Sequence, residues 1–318
     1  MQSKLMIPRA IIISGILIAI AIIVRTSSVK EQTDSSISKP AISNVREQIS
    51  EFEEEVVSSI GVVLPITWGD IGAKLVSVGV IDANTFKAIY DQRGAFTNEY
   101  RSLLLGQNDG KLKITNENAG YLLNLFWALG LANKNPILEL GEMTNSVYGG
   151  TGNFASIGGW TIAQGNAMDH FSKHKFFNLT LEQQTLVDKI SRGIYRPCCG
   201  NSTHFPDCNH GMAMLGLLEL MASQGVNEQD MWKTALIVNS YWFPDTYMTI
   251  ATYIKSKGVE WKDVNPQEML GVDYSSAQGY AKIATQVTEP QQQRSESGCG
   301  VGTVETVAPQ KQQGGCGI

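Results

Sequence analysis

Apolar residues recur at helical spacing along most of the chain between residues 45 and 288. In the acidic stretch 45–60 they occupy positions 49, 52, 56 and 60, and in the stretch 115–130 they occupy positions 119, 122, 123, 126 and 129. No alternation of apolar and polar residues extends far enough to indicate a multi-stranded sheet. The pattern therefore predicts a mainly α-helical fold, with a single multi-helix globular domain covering residues 45–288.

Residues that commonly begin and end helices divide this pattern into elements. Possible N-terminal caps are Thr67, Asp82, Asn166, Thr180, Asn227 and Asp245. Gly79 and Gly258 can end the helices before them, and Pro244 breaks the chain. A long helix is predicted to end at about Ser223, and a final one to cover about residues 276–287.

The N-terminus carries an uncharged apolar run at residues 10–24, with basic residues on both sides. Its length matches a short membrane anchor or the apolar core of a secretory signal, and neither a small-x-small cleavage pattern nor a lipoprotein-type cysteine follows it. Residues 1–25 are therefore predicted to be a membrane anchor or an uncleaved signal. The positive charges before the run favour a single-pass protein with a cytoplasmic N-terminus and an extracytoplasmic domain. The Ser-rich stretch 26–44 is predicted to be a flexible linker.

The composition argues against nucleic acid as a partner, and its rarest reactive residues, cysteine and histidine, are clustered. The formal net charge is -5, and 8% of the residues are aromatic. Without a basic excess or a clear stacking surface, nucleic acid is not expected as a partner. The chain has five cysteines and four histidines, and three of those cysteines and two of those histidines lie between positions 198 and 210.

This clustered segment is the strongest candidate for chemistry. Thiolate, imidazole and thioether side chains bind soft or borderline metals. The candidate ligands are Cys198, Cys199, His204, Cys208, His210 and Met214. Asp207 is a natural cap for the helix that follows, which would place Cys208 in its first turn and lower the pKa of that thiol.

Three interpretations of this segment remain open, and the sequence does not establish whether the protein is an enzyme. The first is a metal ion, with copper favoured by the thioether content and zinc or iron as alternatives. The second is a thiol-dependent redox enzyme with Cys208 as nucleophile and His210 or His204 as base. The third is a helical interaction module in which a disulfide from Cys208 to Cys198 or Cys199 acts as a structural staple.

The copper preference has a short sequence parallel. The order Cys208, His210, Met212, Met214 resembles the ligand order of the cupredoxin copper loop over seven residues. The spacings are shorter than in that loop and the domain pattern is helical, so no family is assigned.

Two further groups could join the cluster. His170 and His174 are four residues apart, on one face of the helix predicted to follow Asn166. They are possible additional metal ligands. The Gly-rich stretch 141–165 fits no phosphate-binding motif and is predicted to be a close-packing loop, with closure over a site as the functional alternative.

The C-terminal stretch 289–318 is Gln- and Gly-rich and repeats a Gly-Cys-Gly-aliphatic sequence. Such a composition predicts a disordered tail. Two interpretations of its thiols, Cys299 and Cys316, stay open: they exchange metal or electrons with the cluster, or they form a disulfide within a duplicated tail that has no further role. A metal or thiol exchange partner is a further candidate.

Overall fold

The computed structural model describes residues 51–287. The anchor at 10–24, the linker at 26–44 and the tail at 289–318, with Cys299 and Cys316, lie outside these residues and stay predictions, as do the domain boundaries. Within the described part of the chain, no helix combines the length and the apolar character needed to cross a membrane.

The described residues form one mainly helical globular domain, which confirms the predicted fold class. A helical segment ends at residue 56, and a two-stranded antiparallel ribbon follows it. The strands are β1 (Val62–Gly69) and β2 (Asn108–Ile114). The α-helices are α1 (Ile71–Ser77), α2 (Ala83–Asp91), α3 (Asn98–Leu105), α4 (Ala119–Ala132), α5 (Pro136–Leu140), α6 (Ala155–Gly158), α7 (Leu181–Gly193), α8 (Asn209–Ser223), α9 (Glu228–Trp242), α10 (Pro244–Ser256), α11 (Pro266–Met269), α12 (Val272–Ser275) and α13 (Ala277–Ala284).

The ribbon was not anticipated from the sequence. In β1 the side chains of Leu64, Ile66 and Trp68 are buried, and the residues between them are not, which is the period of a half-buried strand. Thr67 pairs with Lys111 of β2, so its predicted role as a helix cap is wrong. Helix α1 begins later, after Asp70.

Most of the other predicted helix boundaries are confirmed. The Asp82 side chain accepts a hydrogen bond from the backbone of Thr85, and Thr180 forms a capping box with Gln183. Asn227 caps α9. Asp245 is not a cap, because Pro244 is itself the first residue of α10, where its missing N–H costs no helical hydrogen bond. The predicted ends of α8 and α13 are also close to the observed ones.

The helix predicted to carry His170 and His174 is wrong. Asn166 does cap an element, but this is a single 3₁₀ turn, Ala167–Asp169. Ser172 then adopts a positive φ of 51°, a left-handed conformation that an α-helix cannot contain. The two histidines therefore lie on an irregular segment.

Helices α4 and α8 form the centre of the core, and they cross at glycine. A Cβ atom added at Gly216 would lie 2.4 Å from the carbonyl oxygen of Phe126, and one added at Gly130 would lie 2.1 Å from the carbonyl oxygen of Met212. The two backbones therefore touch directly. Every residue of α8 from Asn209 to Ala222 is buried, so this helix fixes the positions of the groups at its N-terminus.

One carboxyl group is buried in the middle of α8. Glu219 accepts hydrogen bonds from the side-chain amides of Asn133 and Asn135, which follow α4. Burial raises the pKa of Glu219 well above its ordinary value, although these two hydrogen bonds lower it. The folded protein therefore holds a proton on Glu219 at pH values where the unfolded chain has released it.

This buried proton predicts a pH dependence of stability. Because the folded state keeps the proton longer, the free energy of unfolding should fall as pH rises above the ordinary pKa of glutamate, by about 1.4 kcal/mol per pH unit until Glu219 ionises in the folded state. Replacing Glu219 with Gln should remove this slope. Urea unfolding of both proteins at a series of pH values between about 4 and about 8 measures the difference in slope. Parallel pH profiles would contradict the assignment.

Candidate metal centre

The cysteine-rich segment between α7 and α8 folds back on itself. Its two arms meet where Tyr195 pairs with Ser202, and the backbone N–H of Thr203 donates to the carbonyl of Ile194 at 2.8 Å. This turn returns the chain to the start of α8. The helix begins at Asn209 with Cys208 as its cap, one residue later than the predicted cap at Asp207.

The later part of the domain holds this segment in place. The backbone N–H of Ala277, the first residue of α13, donates to the carbonyl of Cys199 at 2.9 Å, and that of Tyr195 donates to Leu270 at 2.8 Å. A Cβ atom added at Gly200 would lie 3.1 Å from the side-chain oxygen of Gln278. The segment is thus clamped between α8 and the last helices.

Three potential ligands come together at the start of α8. The Sγ atoms of Cys198 and Cys208 are 3.5 Å apart. Together with a ring nitrogen of His210, they lie within 4.8 Å of one another. Cys208 and His210 are buried, and Cys198 is partly exposed. These three side chains, of six proposed from the sequence, form a group that can hold a metal ion.

A second group shares one of these atoms. One ligand atom each from Cys199, Asp207 and Cys208 also lies within 4.8 Å of the others. Cys199 is 7% exposed, so its thiol is less accessible than that of Cys198. Because Cys208 belongs to both groups, it is the centre of the cluster.

A buried arginine joins the two groups. Arg196 is 1% exposed. Its Nε–H donates to the Cys208 sulfur at 3.1 Å, and its Nη2 donates to Asp207 Oδ1 at 2.5 Å and to the Phe205 carbonyl at 3.1 Å. Its Nη1 donates to the Asn201 carbonyl at 3.0 Å. Each nitrogen of the guanidinium therefore donates at least one hydrogen bond, and two of the acceptors carry negative charge when ionised.

The first turn of α8 leaves room for this guanidinium. A Cβ atom added at Gly211 would lie 2.6 Å from both the Cζ and the Nη2 atoms of Arg196. The guanidinium thus lies against the bare backbone of the helix. Only glycine at position 211 permits this contact, so the two residues act as one structural unit.

The neighbouring thiols differ in acidity. Hydrogen bonds with Cys198 and Cys199, the charge of Arg196 and a hydrogen bond with His210 lower the pKa of Cys208 well below its ordinary value, despite burial. The lowered pKa agrees with the sequence prediction, but the principal cause is the neighbouring thiols. A hydrogen bond with Cys198 lowers the pKa of Cys199, but its hydrogen bond with Cys208 and its burial raise that pKa to about 12. Cys208 is therefore the more acidic of these two thiols.

Asp207 completes the charge pattern. Burial raises the pKa of Asp207, and the charge of Arg196 acts in the opposite direction. The Asn201 side-chain amide donates to its second oxygen at 2.7 Å. Asp207 and Cys208 thus share one positively charged partner, the guanidinium of Arg196.

His210 and Met214 lie on the core side of the cluster. The His210 ring packs against Phe243, with ring centroids 4.4 Å apart. Met214 follows one turn later in α8 and is 1% exposed, within the hydrophobic core. Its role as a metal ligand stays a prediction.

The remaining histidines lie in other surroundings. His204 faces α7, where its Nε2 is 2.9 Å from Asp188 Oδ1 and 2.8 Å from Arg192 Nη2. His170 contacts His174. None of these three histidines belongs to either of the two ligand groups of the described chain.

The Gly-rich stretch 141–165 packs against the cysteine segment. The backbone N–H of Ser156 donates to the carbonyl of Asp207 at 3.0 Å. Tyr148 and Phe154 of this stretch form a triangle of rings with Phe205, with centroids between 5.3 and 5.5 Å apart. The stretch therefore forms one wall beside the site, as the prediction of close packing implies.

Sequence reasoning found the thiols and missed the groups that control them. Arg196, Asn201 and the acidic role of Asp207 were not identified as parts of the site. The one available signal was an arginine immediately before Pro197 and the paired cysteines, in a segment otherwise almost free of charge.

The fold and the cluster define a mainly helical protein with a buried Cys/His/Asp group that can hold a metal ion. Comparisons with known proteins add no relative: no family model, no curated protein and no solved structure matches this chain.

Proposed function

We propose that this protein binds a soft or borderline metal ion through the thiolates of Cys198 and Cys208 and the imidazole of His210. The observation that supports the proposal is the convergence of these three ligand atoms within 4.8 Å. Two thiolates and one imidazole form the protein ligand set of some catalytic zinc sites, in which a fourth position stays open.

The spacing of the sulfur atoms suits such a site. With metal–sulfur bonds of about 2.3 Å and tetrahedral angles, two coordinated thiolates lie about 3.8 Å apart. The observed separation of Cys198 and Cys208 is 3.5 Å. A small rotation of the partly exposed Cys198 side chain is enough to bring the observed sulfur–sulfur separation to the value expected for tetrahedral coordination.

Arg196 would act as an outer partner of the metal. Its N–H donates to the Cys208 sulfur, and hydrogen bonds of this kind orient a coordinating group and hold it in its ionised form. Asp207 balances the arginine charge. The lowered pKa of Cys208 favours the thiolate, which is the form of this ligand that binds a metal ion.

The metal and the location follow from sequence arguments. Copper is favoured if the thioether of Met214 joins the three ligands, and zinc or iron if it does not. The apolar run at residues 10–24 leads us to propose a membrane-anchored protein whose domain lies outside the cytoplasm.

The adjacent cysteines provide a matched test of the ligand set. In full-length protein purified under anaerobic conditions, Cys198→Ser and Cys208→Ser should each weaken metal binding by about tenfold or more, because loss of an outer partner alone has that effect. Cys199→Ser should bind as the wild type does. Metal content by mass spectrometry and the thiolate absorption of a cobalt-substituted sample measure the effect.

Two other results of this experiment would change the ligand set or overturn the proposal. Loss of binding in Cys199→Ser but not in Cys198→Ser would transfer the metal to the group of Cys199, Asp207 and Cys208. Absence of metal from the wild type, even after addition of Zn²⁺ or Cu⁺, would overturn the proposal.

A dithiol redox centre is the second candidate. The 3.5 Å separation of the Cys198 and Cys208 sulfurs and the lowered pKa of Cys208 also suit formation of a disulfide between them. In this structure none of the three cysteines of the described chain forms a disulfide. Mass spectrometry of the purified chain, before and after reduction, would show this disulfide in a metal-free protein if the second candidate is right.

A further inference from the structure

Two histidines form a close pair in a different part of the domain. His170 Nδ1 and His174 Nε2 are 3.2 Å apart. His170 is 7% exposed, and His174 is partly exposed. The segment that carries them runs along the end of α4, where Asn133 pairs with His174.

A backbone carbonyl fixes the proton positions in this pair. His170 Nε2 lies 3.0 Å from the carbonyl oxygen of Gln164. Because a carbonyl only accepts, Nε2 of His170 carries the proton and Nδ1 presents its lone pair to His174. His174 Nε2 donates to that lone pair, so a single proton bridges the two rings.

The distance between the two ring nitrogens matches the distance expected when two imidazoles bind one metal ion. With metal–nitrogen bonds of about 2.0–2.1 Å and angles between square and tetrahedral, the two nitrogens lie about 2.9–3.4 Å apart. The observed distance of 3.2 Å falls inside this interval.

The surroundings of His170 have the features of a metal ligand. A coordinating histidine usually donates its other N–H to a carbonyl or carboxylate, as His170 does to Gln164. Since His174 is partly exposed, it gives an ion a path from solvent.

From this geometry we propose that His170 and His174 form a second metal site, free of thiols and separate from the cysteine cluster. The site binds a borderline divalent cation that prefers imidazole, of the class of Cu²⁺, Ni²⁺ and Zn²⁺. Water occupies the other coordination positions of the ion. The ion takes the place of the proton that bridges the rings, and that proton moves to Nδ1 of His174.

Ni²⁺ is the suitable probe, because thiols do not reduce it as they reduce Cu²⁺. In the full-length chain with isotope-labelled imidazoles, added Ni²⁺ should broaden the nuclear magnetic resonance signals of His170 and His174 in the wild type and in Cys208→Ser alike. Because Cys208→Ser lacks the thiol shared by both groups of the cysteine cluster, this readout does not depend on whether the cysteine site binds metal.

A conservative variant separates a metal site from a purely structural hydrogen bond. His174→Gln keeps an N–H that can donate to His170 but supplies no imidazole. It should weaken Ni²⁺ binding at this pair by about tenfold or more. Lys173→Gln, which changes the exposed neighbour, should leave the affinity within about twofold, the usual range for a screened surface charge. Signals of His170 and His174 that do not respond to Ni²⁺, or an unchanged affinity in His174→Gln, would overturn the proposal.

Discussion

Replacing Arg196 with methionine should destabilise the folded protein by about 3–5 kcal/mol, as expected when one partner of a buried ion pair is removed. The guanidinium is 1% exposed and is hydrogen-bonded to Cys208, Asp207 and two carbonyls. Methionine fills much of the volume but removes every hydrogen bond that these acceptors receive from the guanidinium. Asp207 and Cys208 would then have to take up protons or draw in water.

The same substitution should alter the acidity of the site. The charge of Arg196 lowers the pKa of Cys208, so the variant's Cys208 thiol should ionise at higher pH. Urea unfolding gives the stability, and the pH dependence of thiolate absorption at 240 nm, roughly where a thiolate absorbs, gives the ionisation.

Lys189→Met is the matched control for Arg196→Met. Lys189 forms an ion pair with Glu228, and the two side chains are 58% and 40% exposed. Exposed pairs of this kind contribute about 0–1 kcal/mol. If both variants lost the same small amount of stability, the buried arginine would not have the structural role described above.

Replacing Gly216 with alanine should cost about 3 kcal/mol, the upper part of the range for overpacking a core. The added Cβ would lie 2.4 Å from the Phe126 carbonyl oxygen and 2.6 Å from the Gly130 nitrogen. Both are backbone atoms of α4, which cannot move aside as a side chain can. The helices must separate, and the buried residues around the crossing lose contact.

Gly120→Ala is the control on the same pair of helices. Gly120 lies in α4, is exposed and has no atom within 4 Å of an added Cβ. Alanine there should stabilise the protein by about 0.5–1 kcal/mol, because glycine is a poor helix former. Thermal unfolding of both variants tests the contrast. A Gly216→Ala protein as stable as the wild type would show that the crossing is looser than the structure indicates.

Local signals in the sequence predicted the helices well. A cap such as Asp82 or Thr180 works through a hydrogen bond to a residue three positions later, so its partner is visible in the sequence. The irregular path of His170 and His174 had no such signal. Ser172 takes its unusual conformation where its N–H donates to the carbonyl of Leu131 on α4, a partner far away in the chain.

The two-stranded ribbon and the control of the cysteine site could not be predicted from the sequence, because both depend on contacts between separate parts of the chain. Strand β2 buries only Leu112 and Ile114, so its pattern is too short to be recognised without β1 beside it. The cysteines were found because their chemistry is rare. The acidity of Cys208, however, depends on the nearby thiols and on Arg196, and the position of Arg196 depends in turn on the absence of a side chain at Gly211. These effects of one residue on another arise from packing in the folded domain. Composition and residue spacing do not reveal them.

The hydrogen bond from Ala277 to the carbonyl of Cys199 has a consequence for biosynthesis. A chain that is still being made and ends before residue 277 has all three clustered thiols but lacks the helix that clamps their segment. Since domains fold as their chains emerge, the cluster can reach its final geometry only when nearly the whole domain has been synthesised. During that interval the thiols are not yet held in the geometry of the folded domain, and they can meet oxidants or metals in other arrangements.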